Sequence, residues 1–350
     1  MKDCSEQVKG FERAAVRMSK DDRADIFGKA KINRDRLKSG LERNGSPKAI
    51  GSRTQGSYAM KTMIQHDRGD YDVDDGVYFK RDKLKNDQGE DKSPEDARKM
   101  VSDALQDKRF ADQPEPRNNC VRVYYKQEGY HVDVPIYREN HTTDAITNVE
   151  TKWFEIAAGD KWSTSDPLTN TKWFKDANAT KSPDASSDGN DGQFVRIVRL
   201  VKGFARSRYG WTDKIASGFT ISKLVCDNFV RDDGRDDRSF RQTMKGIGLW
   251  LSLGGGAVRH PVLDENLADA GDSKTAFLKE KIDENLKHLD VLDKLDCTHN
   301  EAMKAWDALF WTDWFSKQPD PSKKSKIEKA SGPAVIKQGE SRYAKETRYA

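Results

Sequence analysis

The chain lacks most of what would place it outside a reduced, water-filled compartment. It has 350 residues and four cysteines, Cys4, Cys120, Cys226 and Cys297, all isolated, with no Cys-x-x-Cys and no His at ligand spacing. That argues against a disulfide framework and against a zinc site. Mean hydropathy is −0.92, and no apolar run approaches the roughly 18 residues a membrane span needs. The first residues, MKDCSEQVKGFERAAVRMSKDDR, hold no apolar stretch of the secretory kind. Net charge is small: 62 Lys+Arg against 58 Asp+Glu give +4. A dedicated nucleic-acid coat would need more. A cytoplasmic protein without a membrane partner is expected.

What is present is unevenly placed. Residues 317–350 hold nine Lys/Arg and four Asp/Glu, a net of +5, which leaves −1 for residues 1–316. Pro319, Pro321, Gly332, Pro333 and Gly339 and no apolar periodicity make residues 318–350 a flexible basic tail. Residues 5–43 carry apolar positions at helical intervals (Val8, Phe11, Ala15, Met18; Ile26, Ile32, Leu37, Leu41) and predict one or two surface helices. Asn44-Gly45-Ser46-Pro47 breaks them.

Residues 49–137 read as mixed α and β. Ser93-Pro94-Glu95-Asp96 is a helix start, with a cap, Pro in the first turn and acids after it; the helix is predicted to about Asp107. Cys120–Lys126 and Tyr130–Tyr137 predict a hairpin about Gln127-Glu128-Gly129. Gly159 to Asn190 is rich in Asp, Ser, Thr, Asn and Lys and is expected to be loop. Five helices follow, around Phe194–Phe204, Phe219–Phe229, Met244–Leu253, Lys274–Leu292 and Ala302–Phe315. Most of the eight Trp are expected in the core of this helical part. The expected organisation is α+β: residues 1–155 a mixed-sheet core with N-terminal helices, 156–192 a loop-rich connection, 193–317 an α-helical lobe, and 318–350 the tail.

The chemistry concentrates in two strands and a turn. In Asp70-Tyr71-Asp72-Val73-Asp74-Asp75-Gly76-Val77, alternation puts Asp70, Asp72 and Asp74 on one face. Carboxylates so close repel, and a divalent cation reverses that balance. In His131-Val132-Asp133-Val134-Pro135-Ile136, the apolar residues share one face and Asp133 takes the other. If the two strands are neighbours, Asp133 joins Asp72 and Asp74. Three such carboxylates suit a two-metal site for in-line attack on phosphorus. Upstream, Gln55-Gly56-Ser57-Tyr58 offers a glycine for close backbone approach and a serine hydroxyl at a turn, a cradle for phosphate. Asp72 lies fifteen positions after Ser57.

These motifs resemble the nucleotidyltransferase superfamily that includes DNA polymerase beta and poly(A) polymerases. Gln-Gly-Ser-Tyr, Asp-Val-Asp-Asp-Gly-Val-Tyr and His-Val-Asp-Val-Pro-Ile-Tyr resemble more narrowly the bacterial cGAS/DncV-like nucleotidyltransferases, over about residues 50–315. The resemblance implies a polymerase-beta-like core with a C-terminal helical lobe. It implies a synthase that joins NTPs into a cyclic di- or trinucleotide second messenger for anti-phage (CBASS) signalling. It implies two Mg²⁺ or Mn²⁺ ions on Asp72, Asp74 and Asp133, with Asp133 also helping to activate the acceptor hydroxyl. Gln55, Gly56, Ser57, Met60 and Arg122 would meet nucleotide. Lys202 and Ser217 would hold phosphates, and Asp264 would line a base pocket. The implied partners are ATP with GTP or a pyrimidine NTP, an effector that takes the cyclic product, and a ubiquitin-transfer-like partner at the C-terminus ending in Ala350, with no obligatory nucleic acid. The sequence departs at Lys61-Thr62, where many relatives have Gly-Thr, and Asp70 is an extra acid. Alternatives are a template-independent enzyme acting on RNA, an enzyme nucleotidylating an aminoglycoside or a protein, and a catalytically dead nucleotide-binding module.

Overall fold

The computed structural model describes residues 1–65, 71–125, 129–182, 184 and 191–320. Asp70, the hairpin-tip residues Gln127 and Glu128, and the tail from residue 321 to Ala350 lie outside the described residues. Among those described, no helix is long and apolar enough to cross a membrane.

The chain opens with helix α1 (Ser5–Phe11), a π-helical turn over Glu12–Val16, and the long α2 (Lys20–Arg43). Ser19 caps α2, accepting from the Asp22 backbone N–H at 3.0 Å, with Asp21 and Asp22 in the first turn where the helix dipole favours acids. Strand β1 (Gly51–Thr54) and the four-residue helix α3 (Gly56–Ala59) lead to the central strand β2 (Tyr71–Lys80). Helix α4 (Pro94–Leu105) begins as expected, with Ser93 accepting from the Asp96 N–H at 3.0 Å. Five further strands follow: β3 (Glu115–Pro116), β4 (Val121–Tyr125), β5 (Tyr130–Val134), β6 (Ile136–Thr143) and β7 (Glu150–Ala158).

With β8 (Lys161–Thr164) these make an eight-stranded mixed sheet. β5 and β6 both run parallel to β2, and β1 pairs antiparallel with β2. Pro135 interrupts the line between β5 and β6. It has no N–H to give the ladder, but its carbonyl still accepts from Val77 at 2.9 Å. One face of the sheet buries Val73, Val77, Val121, Val123, Val132 and Val134 beneath α2 and α4. Those two helices meet at Gly40, where a Cβ would lie 1.7 Å from the Ala104 carbonyl oxygen, so only glycine allows the approach. The opposite face carries the acids.

The segment 156–192 is not a loop-rich connection. It holds the end of β7, then β8 and the fifteen-residue helix α5 (Pro167–Lys181). Asp166 caps α5 on the Thr169 N–H at 2.9 Å with Pro167 in the first turn, the same device as Ser93-Pro94. Only Phe174 of α5 is buried, so apolar periodicity is nearly absent while the start signal is intact.

The remaining helices are α6 (Gly192–Arg206), α7 (Gly218–Asn228), α8 (Asp236–Leu253), α9 (Ser273–Asn285) and α10 (His299–Phe310). A short hairpin of β9 (Val258–Arg259) and β10 (Asn266–Ala268) lies between α8 and α9. These are the helices expected from the apolar spacing. Trp306 is fully buried among them, and Trp173, Trp211 and Trp314 pack against their core, while Trp250 and Trp311 are exposed. A second correction concerns the N-terminus. α1 does not lie on the surface of the sheet unit: Cys4, Val8, Phe11 and Val16 are buried in the core of the helical lobe. The Phe11 ring packs at a tilt, its centroid 4.7 Å from that of Phe310 and 4.6 Å from that of Phe315. The chain's first turn therefore closes the lobe that its last helices build.

Candidate active site

Parallel pairing sets Asp72 beside His131 and Asp74 beside Asp133. All four side chains point from the same sheet face, because each pair is in register and the residues alternate. Asp72, His131 and Asp133 each offer a ligand atom within 4.8 Å of the others, a geometry that fits a divalent cation. Asp74 completes the acidic group on the other side, its Oδ2 turned toward Gly56. The electrostatics record the crowding. Burial, and then the Asp72 and Asp133 charges, push the Asp74 carboxyl up to about 7. Burial also acts upward on Asp72, but the His131 hydrogen bond and the nearby cations outweigh it and hold its pKa below the usual range. His131 was not singled out in the sequence, although two-residue spacing from Asp133 puts it on the same face. Asp75, on the opposite face, is buried and held by Arg34 of α2 through a 2.7 Å bond.

Arg122 stands directly across from Asp133 on β4 and grips both carboxylate oxygens at 2.8 Å. This bidentate pair is strong and directional. Arg122 is therefore a neighbour of the acids and lines the same cavity.

The turn into α3 is built against Asp74. Gln55 N–H donates to the Asp74 carbonyl at 2.9 Å. The Gln55 amide is buried and spent inside the protein: it donates to the Tyr137 hydroxyl at 2.7 Å and accepts from Tyr78 at 3.3 Å. Gly56 has φ +60°. Ser57 and Met60 follow and line the cavity, Met60 being almost fully buried.

The far end of this turn explains the Lys61-Thr62 departure. Lys61 adopts φ +57°, a left-handed conformation that glycine takes freely and that costs a side-chain-bearing residue about 1 kcal/mol. Polar contacts hold it there. Arg199 of α6 donates to the Lys61 carbonyl at 3.2 Å, and Lys61 Nζ lies 3.5 Å from Asp191. Arg199 is itself buried between Glu12 at 2.7 Å and Asp191 at 2.9 Å. One turn on, Lys202 donates to the Thr62 hydroxyl at 2.8 Å. Thus α6 braces the turn from the lobe side, and the π-helical turn of the N-terminal segment braces α6 through Glu12.

Lys202 is almost fully buried, and burial, followed by the Arg206 and Arg199 charges, brings its pKa down to about 7. The linkage sign follows: the folded value lies below the unfolded one, near 10.5. The cost to folding is full below pH 7, shrinks between 7 and 10.5, and vanishes above. Lys202→Met is expected to stabilise the empty protein by about 2 kcal/mol at pH 6–7, after the lost Thr62 bond is counted. Denaturant melts at pH 6.5 and 10.5 check this; a gain that grew with pH would contradict it.

Across the cavity Ser217 caps α7, accepting from the Thr220 N–H at 3.1 Å. Gly218 behind it sits against Lys202, where a Cβ would meet the side chain at 3.4 Å. One cavity of about 710 Å³ is lined by Gln55, Gly56, Ser57, Met60, Asp72, Asp74, Arg122, Asp133, Lys202 and Ser217. Asp264 is not brought in. It sits in the loop between β9 and β10, its side chain 93% exposed, paired with Arg259. That loop turns on His260, whose Nδ1 accepts from Val262 and Leu263.

Residues 51–137 match the family model described as cyclic GMP-AMP synthase DncV-like, nucleotidyltransferase domain. That stretch runs from β1 through the Gly56 turn and the acidic strand to Tyr137, so it carries the whole sheet side of the cavity. The chain has a DncV-like nucleotidyltransferase domain. The architecture around that domain is also shared. Escherichia coli DncV in its 3′-deoxy GTP bound form is 17% identical, with a TM-score of 0.62 over 85% of this chain and 92% of that one. Vibrio cholerae DncV in complex with the linear intermediate 5′-pppA(3′,5′)pG is 15% identical, with a TM-score of 0.65 over 85% and 92%. The same Vibrio cholerae protein, described as a prokaryotic cGAS homolog, is 14% identical with a TM-score of 0.65 over 87% and 93%. At these identities the likeness is one of fold, and it includes the helical lobe that the domain match leaves out. Nucleotidyltransferases of this fold use divalent metals, and the acids of this domain fit that use.

Proposed function

We propose that the protein is a cGAS/DncV-like nucleotide cyclase that joins NTPs by successive nucleotidyl transfers into a cyclic di- or trinucleotide signal. The observation that carries this reading is the Gly56 turn seated against Asp74, with Asp72 and Asp133 beside it and Lys202 and Ser217 across one cavity. Phosphate would lie between the turn and the N-terminus of α7, where backbone N–H groups and the helix dipole favour anions. Lys202 would regain its charge beside the phosphates. Asp72, Asp74 and Asp133 would hold two Mg²⁺ or Mn²⁺ ions, which neutralise charge on the phosphate and make the attacking hydroxyl more acidic.

In each transfer a ribose hydroxyl attacks the α-phosphorus of an NTP, a P–O bond forms, and pyrophosphate leaves with the old bond. Asp133 would take the hydroxyl proton. Positioning and electrostatics account for the rate, without a covalent enzyme intermediate. Related DncV structures hold 3′-deoxy GTP and a linear pppApG, which supports ATP and GTP as substrates here. The near-neutral body suits small triphosphates better than a long polyanion. A signal of this kind would act on a separate effector in anti-phage defence.

The test is to incubate the purified chain with four labelled NTPs and Mg²⁺ or Mn²⁺. A phosphatase-resistant product with the mass of a cyclic di- or trinucleotide is expected. No such product at any pH or metal concentration sinks the proposal, and product that appears only with added RNA makes the protein a tailing enzyme instead.

A further inference from the structure

We propose that Arg206 and Lys274 form a polyphosphate subsite on the helical wall of the cavity, extending the anion path one helical turn beyond Lys202. The inference rests on the nucleotide-cyclase reading for the identity of the substrate, and on the geometry for the subsite itself.

Both residues line the cavity that holds the acids and the Gly56 turn. Arg206 lies four residues after Lys202 and so shares its face of α6. Lys274 enters from α9. Both side chains are exposed to the cavity solvent, and neither the Arg206 guanidinium nor the Lys274 ammonium has a hydrogen-bond or ion-pair partner among the described residues. This is unusual company for a protein in which most other charged side chains near the cavity are paired. Arg122 holds Asp133, and Arg199 holds Glu12 and Asp191.

Placement adds a second argument. Lys274 is in the first turn of α9, where a cation opposes the helix dipole. Arg206 lies close enough to Lys202 to disfavour its charge. Lys202, Arg206 and Lys274 thus line one cavity, and among the described residues none of the three side chains is paired with a carboxylate. A single carboxylate ligand would satisfy one. A chain of phosphates satisfies all three at once, and the planar guanidinium fork matches two oxygens of one phosphate.

The polyphosphate has two sources in this reaction: the outer phosphates of the donor, which leave as pyrophosphate, or the 5′-triphosphate of the acceptor nucleotide. The test uses the full chain and its Arg206→Gln/Lys274→Gln double variant. Both side chains are exposed, so the fold is expected to be retained, which thermal melting checks. Inorganic tripolyphosphate with Mg²⁺ is titrated by calorimetry. A loss of affinity of about tenfold or more in the double variant is expected, and a change of less than threefold overturns the subsite. Pyrophosphate inhibition and the ratio of kcat/KM for ATP against AMP as acceptor then separate the sources. Weakened inhibition marks the donor side, and an acceptor ratio that collapses toward one marks the acceptor side. Wild type that binds tripolyphosphate through these residues but makes no product sinks the cyclase reading and leaves the subsite. Cyclic product with unchanged tripolyphosphate binding does the reverse.

Discussion

Replacing Asp72 and Asp74 together by Asn is expected to lower nucleotidyl transfer by about a thousandfold or more, and Asp74→Asn alone is expected, in metal-free buffer, to raise the melting temperature. The two effects have one cause. Asp74 is in register with Asp133 and two residues from Asp72, while Arg122 has both its bonds on Asp133 and His131 lies 3.4 Å from Asp72. The repulsion in the empty protein therefore falls on Asp74, whose pKa burial and the Asp72 and Asp133 charges raise, and not on Asp72, which His131 and Arg122 hold charged. Asn keeps the volume and removes the repulsion. It also removes the oxygen charge that a divalent cation would need. Mg²⁺ or Mn²⁺ should then stabilise the wild type against heat and leave the double variant unmoved. Melting curves with and without metal, beside product assays, read both halves. A double variant that still responds to Mn²⁺, or still forms product, would show that these acids are not the metal-dependent centre. An Asp74→Asn protein less stable than wild type without metal would show that this acid pays for itself by other contacts.

How far this was legible from the residues depends on whether the signal was local. The acidic face was legible because a strand's alternation is strict: Asp72 and Asp74 had to share a side, and Val132, Val134 and Ile136 had to put Asp133 opposite the core. That β5 lies directly beside β2 was an assumption of the motif, which parallel pairing of Asp74 with Asp133 bears out. Helix starts were equally local. Ser93-Pro94 marks one start and Asp166-Pro167 carries the same signal, but α5 buries only Phe174, so no apolar spacing supports it. What could not be read was long-range. Nothing near Phe11 says that it will pack on Phe310 and Phe315 some three hundred residues away. The partner of Arg122 needed the antiparallel register of β4 on β5, and the left-handed Lys61 needed Arg199 and Asp191 from the far lobe. Asp264 was carried by resemblance alone, and its pairing with Arg259 depends on a loop whose shape no local pattern dictates.

Gly56→Ala is expected to cost about 2–3 kcal/mol of stability and about a hundredfold in turnover, far more than removal of one hydrogen atom suggests. Two terms combine. At φ +60° an L side chain is strained by about 1 kcal/mol. The new Cβ would also lie 2.3 Å from Asp74 Oδ2 and 3.4 Å from its Cγ. The Oδ2 cannot stay, although the Cγ distance is an ordinary contact. The Asp74 side chain is short and rises from a strand in the middle of the sheet, so the carboxylate must rotate off its position or the turn must lift. Either change separates Ser57 from the acids, and misplacement by about 1 Å is enough to lose most of the rate. The two terms can be separated by a double-mutant cycle. The Asp74 Cβ is 3.8 Å from the new methyl, an ordinary contact, so Asp74→Ala removes the clash and keeps the backbone strain. In that background Gly56→Ala should cost only about 1 kcal/mol. Urea melts of the four proteins give the coupling directly. Equal costs in both backgrounds would mean that backbone strain alone demands the glycine, and that the turn is not held in place by its fit to Asp74.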